Sequence, residues 1–229
     1  MELSGVRDGV LRQPVGADGA YALSSGRNKQ GSILVCTQSS MQIYCGPLTF
    51  KSRLWLVRDV ALTGVNEFPN LGEAPLAQAD SRPGVVRYAA AFEALRNRSD
   101  AYLAKTGKRP QAVLLPVGPL AEHNIRTTFA SNLLASGGIE AVNPGTVDAN
   151  GVFAVADGHA AAVVCGTDAR YADEASDVVK AARAAGITHV YLAGPEKAVA
   201  DATDKPDDYL TMKIDAVEAL STLLTRLGA

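Results

Sequence analysis

The last two thirds of the chain predict an α/β fold, a doubly wound parallel sheet of five strands with helices on both faces. Three observations carry this. Short unbroken apolar runs, AVLL at 112–115, AAAVVC at 160–165 and HVYLA at 189–193, suit strands covered on both sides. Segments of helical periodicity separate them. Glycines stand where those helices should stop, at Gly137-Gly138 and Gly186. Strands alternating with helices make a parallel sheet, and five strands favour the order 2-1-3-4-5. In such a sheet the binding face is the loop at the carboxyl end of the first strand.

Residues 1–57 give no helix of useful length, because Gly9, Gly16, Gly19, Gly26, Gly31 and Gly46 punctuate them along with Pro14 and Pro47. Two strand-like runs, Ser32 to Thr37 and Met41 to Cys45, can pair as a hairpin. A lone hairpin is marginal in water. The segment is expected to be poorly ordered, or foreign to the domain that follows. Residues 58–83 read as a linker, with two prolines and small polar residues between Ala74 and Pro83. The domain proper is expected over 84–229.

It opens with a helix from Gly84 to Thr106. Tyr88, Phe92, Leu95, Ser99 and Tyr102-Leu103 fall on one face, opposite Arg87, Glu93, Arg96 and Arg98. The aromatic residues Tyr88, Phe92 and Tyr102 make this helix a candidate packing surface. The first strand ends at Pro116, and a polar loop, Gly118 to Asn124, carries Glu122 and His123. Ile125, Phe129, Asn132, Leu133 and Ser136 then recur at helical spacing. Ile139, Ala141 and Val142 begin a second strand. Val147 to Asp157 is a weak helix broken by Gly151. Tyr171 to Ala185 is a helix with Ala175, Val178, Val179 and Ala182 inward. After the fourth strand come a short turn, Glu196 to Ala202, and a last strand, Tyr209 to Ile214. Asp215 and Glu218 have capping-box spacing at the start of a final helix striped by Val217, Leu220, Leu224 and Leu227.

Composition excludes several function classes. A formal net charge of -2 leaves no footprint for nucleic acid or an anionic membrane, and no apolar run approaches bilayer length. Three cysteines are an odd number without metal-ligand spacing. The simplest reading is a reduced, cytoplasmic protein. Neither G-x-G-x-x-G nor G-x-x-x-x-G-K-[ST] occurs, so dinucleotide and P-loop sites lack their glycines. A Cys165–His nucleophile pair competes with simple packing of a small thiol. His159 and His189 flank strands as packing or surface residues. Asp168, Asp173, Glu174 and Asp177 read as a solvated helix start favoured by the helix dipole.

The stretch PVGPLAEHNIRTTFASNLLASGGIEAVNPGTV, with its strand, Gly-x-x-x-x-His loop and helix, resembles the cobalamin-binding domain of the methylmalonyl-CoA mutases. Its wording is most similar to the small, non-catalytic subunit of the heterodimeric bacterial enzymes. The resemblance runs from about Leu62 to the C-terminus and implies a flavodoxin-like fold. Leu62 to Leu71 resembles the segment that closes the family's substrate barrel, which would make this chain a fragment. In cobalamin-binding members the loop reads Asp-x-His-x-x-Gly, and the histidine ligates cobalt. Here that spacing gives Ala121, His123 and Arg126. The acid that would orient the imidazole and the glycine that would admit the cofactor are both replaced. The third strand ends Cys165-Gly166-Thr167-Asp168 instead of the family's Ser-x-Leu. The fourth ends Ala193-Gly194-Pro195 instead of paired glycines.

The resemblance therefore implies a component of an isomerase complex, not catalytic by itself. It would support a large subunit that uses adenosylcobalamin to interconvert succinyl-CoA and methylmalonyl-CoA. His123 is the single cofactor-site candidate, and cobalt ligation by it is not expected. Two alternatives stand beside this: a self-sufficient cobalamin-binding domain using His123, and a free-standing flavodoxin-like module for another small molecule.

Overall fold

A computed structural model describes residues 63–73 and 89–229 in full, and N-terminal to them the backbone of five short strands. Residues 74–88, which include Tyr88 and the Ala74 to Pro83 stretch of the expected linker, lie outside the described residues. The chain divides into two compact units, Met1–Trp55 with Ala74–Ala91, and Leu56–Glu73 with Phe92–Ala229.

In the first unit, β1 (Val6–Arg7), β2 (Val10–Val15), β3 (Ala20–Ser25), β4 (Ile33–Cys36) and β5 (Met41–Tyr44) form one antiparallel sheet in sequence order. The hairpin expected from the sequence is β4–β5, with Ile33 opposite Tyr44 and Cys36 opposite Met41. β1, β2 and β3 extend it, supplying the further strands that an isolated hairpin lacks.

The second unit is the predicted α/β fold. β6 (Gln111–Pro116), β7 (Glu140–Val142), β8 (Ala161–Cys165), β9 (His189–Leu192) and β10 (Asp208–Tyr209) lie in the order β10-β9-β8-β6-β7, every pairing parallel. Read from the domain's first strand, this is 2-1-3-4-5. The helices are α1 (Ala90–Thr106), α2 (Leu120–Ser136), α3 (Val152–Ala156), α4 (Asp168–Ala184) and α5 (Ala216–Arg226). Alternate residues of each strand serve opposite faces. Ala112, Leu114, Ala161, Val163 and Cys165 pack with Leu133, Leu134, Leu220 and Leu224 of α2 and α5. Val113, Leu115, Ala162 and Val164 pack with Val152 of α3 and Tyr171, Val178 and Val179 of α4.

Several sequence expectations change, and the weak helix expected over Val147 to Asp157 is only Val152–Ala156. The polar loop Gly118 to Asn124 is not a loop. Helix α2 begins at Leu120, directly after Pro119, whose carbonyl accepts from the N–H of Glu122 (2.9 Å) and of His123 (3.3 Å). Ile125 consequently points outward, 80% exposed, while His123, Thr127, Ala130 and Leu134 take the inner positions. Helix α4 likewise starts earlier, at Asp168, where the Thr167 side chain accepts from Arg170 N–H at 3.3 Å. The last strand is only Asp208–Tyr209. Leu210 N–H still reaches the Leu192 carbonyl at 2.8 Å before the chain turns away to Asp215, which caps α5 through Glu218 N–H.

Helix α1 packs as expected through Phe92, Leu95 and Ser99. Phe92, 3% exposed, belongs to the domain's own core and offers no area to a partner. The same helix holds the segment before it. Arg96 donates to the carbonyls of Gly64, Val65 and Ser136, and Arg109 to that of Leu71. Arg98 reaches α5 and the carbonyl of Ala229.

Candidate functional site

A doubly wound sheet offers its crevice where two neighbouring strands send their chains to opposite faces. Here those strands are β6, followed by α2 on one face, and β8, followed by α4 on the other. The turn after β6 is tight: Val117, Gly118 at φ +80 and Pro119. Gly118 suits this left-handed backbone, and its missing side chain leaves room for two side chains above it. A Cβ there would sit 2.9 Å from Arg170 Nε and 3.1 Å from Glu122 Oε2.

Those two side chains meet over the turn. Arg170 Nε donates to Glu122 Oε2 at 2.7 Å, and its Nη1 to Glu174 Oε1 at 2.8 Å. The hydrogen bond from Arg170 holds the Glu122 carboxyl below its ordinary pKa, and the two carboxylates push the guanidinium above its own. A second link lies beside the first. Arg126 of α2 donates through Nη1 to the Ala193 carbonyl (2.8 Å) and through Nη2 to Asp168 Oδ1 (2.6 Å). Its guanidinium carbon lies 5.2 Å from the Tyr171 ring centroid, within cation–π range. Burial opposes the Arg126 charge, yet Tyr171 and Asp168 raise its pKa above the usual arginine value. Both sides of the crevice are thus tied across its mouth.

Tyr171 is fully buried beneath. Its hydroxyl accepts from Gly166 N–H at 2.8 Å and faces the carbonyls of Ala193 (2.9 Å) and Val164 (3.2 Å). Burial pushes its pKa up, so it stays a neutral phenol. The Cys165 thiol, also fully buried, is pushed up to about 12 by the same desolvation. That leaves essentially no thiolate near neutrality and no route for a nucleophilic role.

His123, the one cofactor-site residue named from the sequence, is 2% exposed in the first turn of α2. Its Nδ1 lies 3.1 Å from Thr127 Oγ1 and its Nε2 3.3 Å from Thr146 Oγ1. A neutral imidazole has one donor and one acceptor nitrogen, and two hydroxyls satisfy both. Ala121, at the position of the family's orienting acid, is exposed. His159 and His189 sit at the amino ends of β8 and β9, away from this edge. Among the described residues no group of His, Cys, Asp and Glu is arranged to hold a metal ion, and no helix is long and apolar enough to cross a membrane.

The sequence reading did not bring out Arg126 as a crevice residue, or Arg170 at all. The only signal for them was charge: Glu122 and Arg126 on one helix, Asp168, Arg170 and Glu174 on another. Only the fold shows that these residues face each other.

No family model matches the chain. Individual relatives do. It is 67% identical over 175 residues, 75% of this chain, to proteins named probable methylmalonyl-CoA mutase small subunit from Mycobacterium bovis and Mycobacterium tuberculosis. The chain belongs to the methylmalonyl-CoA mutase small-subunit family. A methylmalonyl-CoA mutase small subunit from Streptomyces virginiae is 42% identical over 177 residues, and one from Propionibacterium freudenreichii 30% over 184. In each case the match spans 28% of the relative's length.

Proposed function

We propose that the chain provides the α/β domain of a methylmalonyl-CoA mutase small subunit and acts by contact with a catalytic large subunit. The complex would interconvert succinyl-CoA and methylmalonyl-CoA with adenosylcobalamin held elsewhere. This domain would contribute folded surface, not a cobalt ligand. One observation carries the second half of that reading: His123 is itself buried, and both its ring nitrogens lie within hydrogen-bond distance of threonine hydroxyls, Nδ1 of the buried Thr127 and Nε2 of Thr146 at the surface. A histidine that ligates cobalt needs one nitrogen free to face the metal and the other fixed by a neighbouring group. These residues do not fit that role. A free-standing small-molecule module needs an open crevice, and Arg126 and Arg170 cross this one.

The test has two arms. Titration with cobalamin should give no saturable absorbance change of the kind produced when a protein imidazole replaces the cofactor's own base. A saturable change that disappears in His123→Ala would overturn the reading and restore the self-sufficient cobalamin domain. In the other arm, the chain should co-purify with a matching large subunit. Failure to associate at micromolar concentration, with mutase activity unaffected by its presence, would remove the subunit role.

A further inference from the structure

We propose that Arg126 is an intramolecular ligand: its guanidinium fills the switch-point crevice and ties α2 to α4 and β9, completing the domain without a bound molecule. The inference rests on the reading above that this crevice holds no cofactor. It goes further by assigning a positive role to the side chain found there.

The contacts are those of a bound planar cation. One edge of the guanidinium meets a carbonyl, Ala193 O at 2.8 Å, and another meets a carboxylate, Asp168 Oδ1 at 2.6 Å. The Tyr171 ring lies beside its central carbon at 5.2 Å. A rigid fork of donors and a delocalised face satisfy all three at once, whereas a lysine ammonium matches only the charge. The groups that receive it come from two elements: the end of β9, and the first and fourth residues of α4. Arg126 itself comes from α2 on the other face of the sheet.

Gly194 gives independent support. Its φ lies outside the left-handed region, so the backbone does not require glycine. A Cβ at Gly194 would lie 3.0 Å from Cε2 of the buried Tyr171 ring, and the Arg126 guanidinium would have to move aside for it. The wall of the crevice is cut back where the guanidinium sits. Arg126 is also more sheltered than its partner acid, with 26% of its side chain exposed against 51% for Asp168.

The experiment uses the full chain with Arg126→Gly and Arg126→Lys, followed by thermal unfolding. Both variants should lose roughly 5 °C or more in midpoint. Millimolar methylguanidinium, far below denaturing concentrations, should restore part of the Arg126→Gly loss saturably. Methylammonium at the same concentration should not. An Arg126→Gly midpoint equal to the parent's, or a loss that methylguanidinium leaves untouched, overturns the inference. Should Arg126→Gly fail to fold, the parent chain decides by NMR. The Arg126 guanidinium protons should exchange slowly, and faster in Asp168→Asn; rapid exchange in the parent overturns the inference. Cobalamin titration and large-subunit association are measured on the same preparations. A parent that refuses cobalamin and binds the large subunit, with no rescue of the variant, sinks this inference alone. A parent that takes up cobalamin through His123 sinks the functional reading instead.

Discussion

Arg96 and Arg170 are the same side chain put to opposite uses at two ends of the α/β domain. Arg96, on α1, is half-buried and donates to three backbone carbonyls, those of Gly64, Val65 and Ser136. Desolvation lowers its pKa, although neighbouring acids pull the other way. Arg170, at the crevice, donates to two carboxylates at a partly exposed site, and its pKa rises. A carbonyl keeps its acceptor at any pH and holds a stretch of chain in place. A carboxylate can be protonated, and exposed ion pairs are weakened by salt. The α1 end should therefore be a permanent anchor, and the Glu122–Arg170 pair a fastening that responds to conditions.

The largest effect should come from disturbing the anchor's packing. Gly138 has φ +82, and a Cβ there would lie 2.7 Å from Ser99 Cβ. Ser99 Oγ donates to the Gly138 carbonyl at 2.6 Å and accepts from Arg109 Nη1 at 3.1 Å. Gly138→Ala combines a left-handed alanine with overpacking and should cost about 2–4 kcal/mol. Chemical denaturation measures it. A loss below about 1 kcal/mol would mean that α1 is less tightly seated than the structure shows. Arg96→Ala should follow at about 2–3 kcal/mol, since three carbonyls lose a charged donor. Hydrogen exchange across 63–73 should accelerate in that variant while the strands stay protected. Unchanged exchange there would mean that other contacts hold the segment.

The two ends were unequally legible in the sequence. Strands β6, β8 and β9 announce themselves as apolar runs because both faces are covered, and the buried face of α1 follows from Phe92, Leu95 and Ser99 at helical spacing. The start of α2 did not, because its inner positions near the crevice hold His123 and Thr127. A search for inward apolar residues settles instead on Ile125, which is 80% exposed. Stepping back from Leu134 by helical turns through Ala130 and Thr127 reaches His123, so the lower core sets the helix's rotation. Polar residues at those steps are tolerated because they satisfy one another: His123 with Thr127 and Thr146. The crevice links were unreadable for a different reason. Arg126 and Asp168 are 42 residues apart and Glu122 and Arg170 48, so no local spacing pairs them.

A smaller and opposite effect is expected inside the anchored segment. Phe68 is 69% exposed and has φ +49, a left-handed backbone rare for a bulky residue. It follows the Thr63–Glu67 bridge whose turn Arg96 holds through Gly64 and Val65. If the anchor imposes that backbone, Phe68→Asn should stabilise the chain by about 0.5–1 kcal/mol, because asparagine tolerates the conformation and little burial is lost. The gain should vanish in an Arg96→Ala background, where the turn is free to relax. Destabilisation by Phe68→Asn in the intact chain would show that the ring has a packing role.

The smallest effect should be at the exposed crevice pair, and its pH dependence fixes its sign. Arg170 holds the Glu122 carboxyl below its ordinary value in the folded chain. Protons therefore bind more readily to Glu122 in the unfolded chain, and the pair's contribution is fully present above the unfolded carboxylate pKa. It is lost as pH falls through the lowered folded value. Glu122→Gln should thus be slightly less stable than the parent near neutral pH. The difference should shrink as the solution is acidified below the usual carboxylate range, and shrink again in high salt. Arg96→Ala should show both trends more weakly, since its carbonyl acceptors do not titrate and only the longer-range pull of Glu93, Asp100 and Glu73 does. Denaturation curves at several pH values, with and without salt, separate the two. A Glu122→Gln deficit that persists unchanged into acid would mean the side chain acts through packing or a neutral hydrogen bond. A deficit for Arg96→Ala that fades in salt as fully as that of Glu122→Gln would erase the distinction between the two ends.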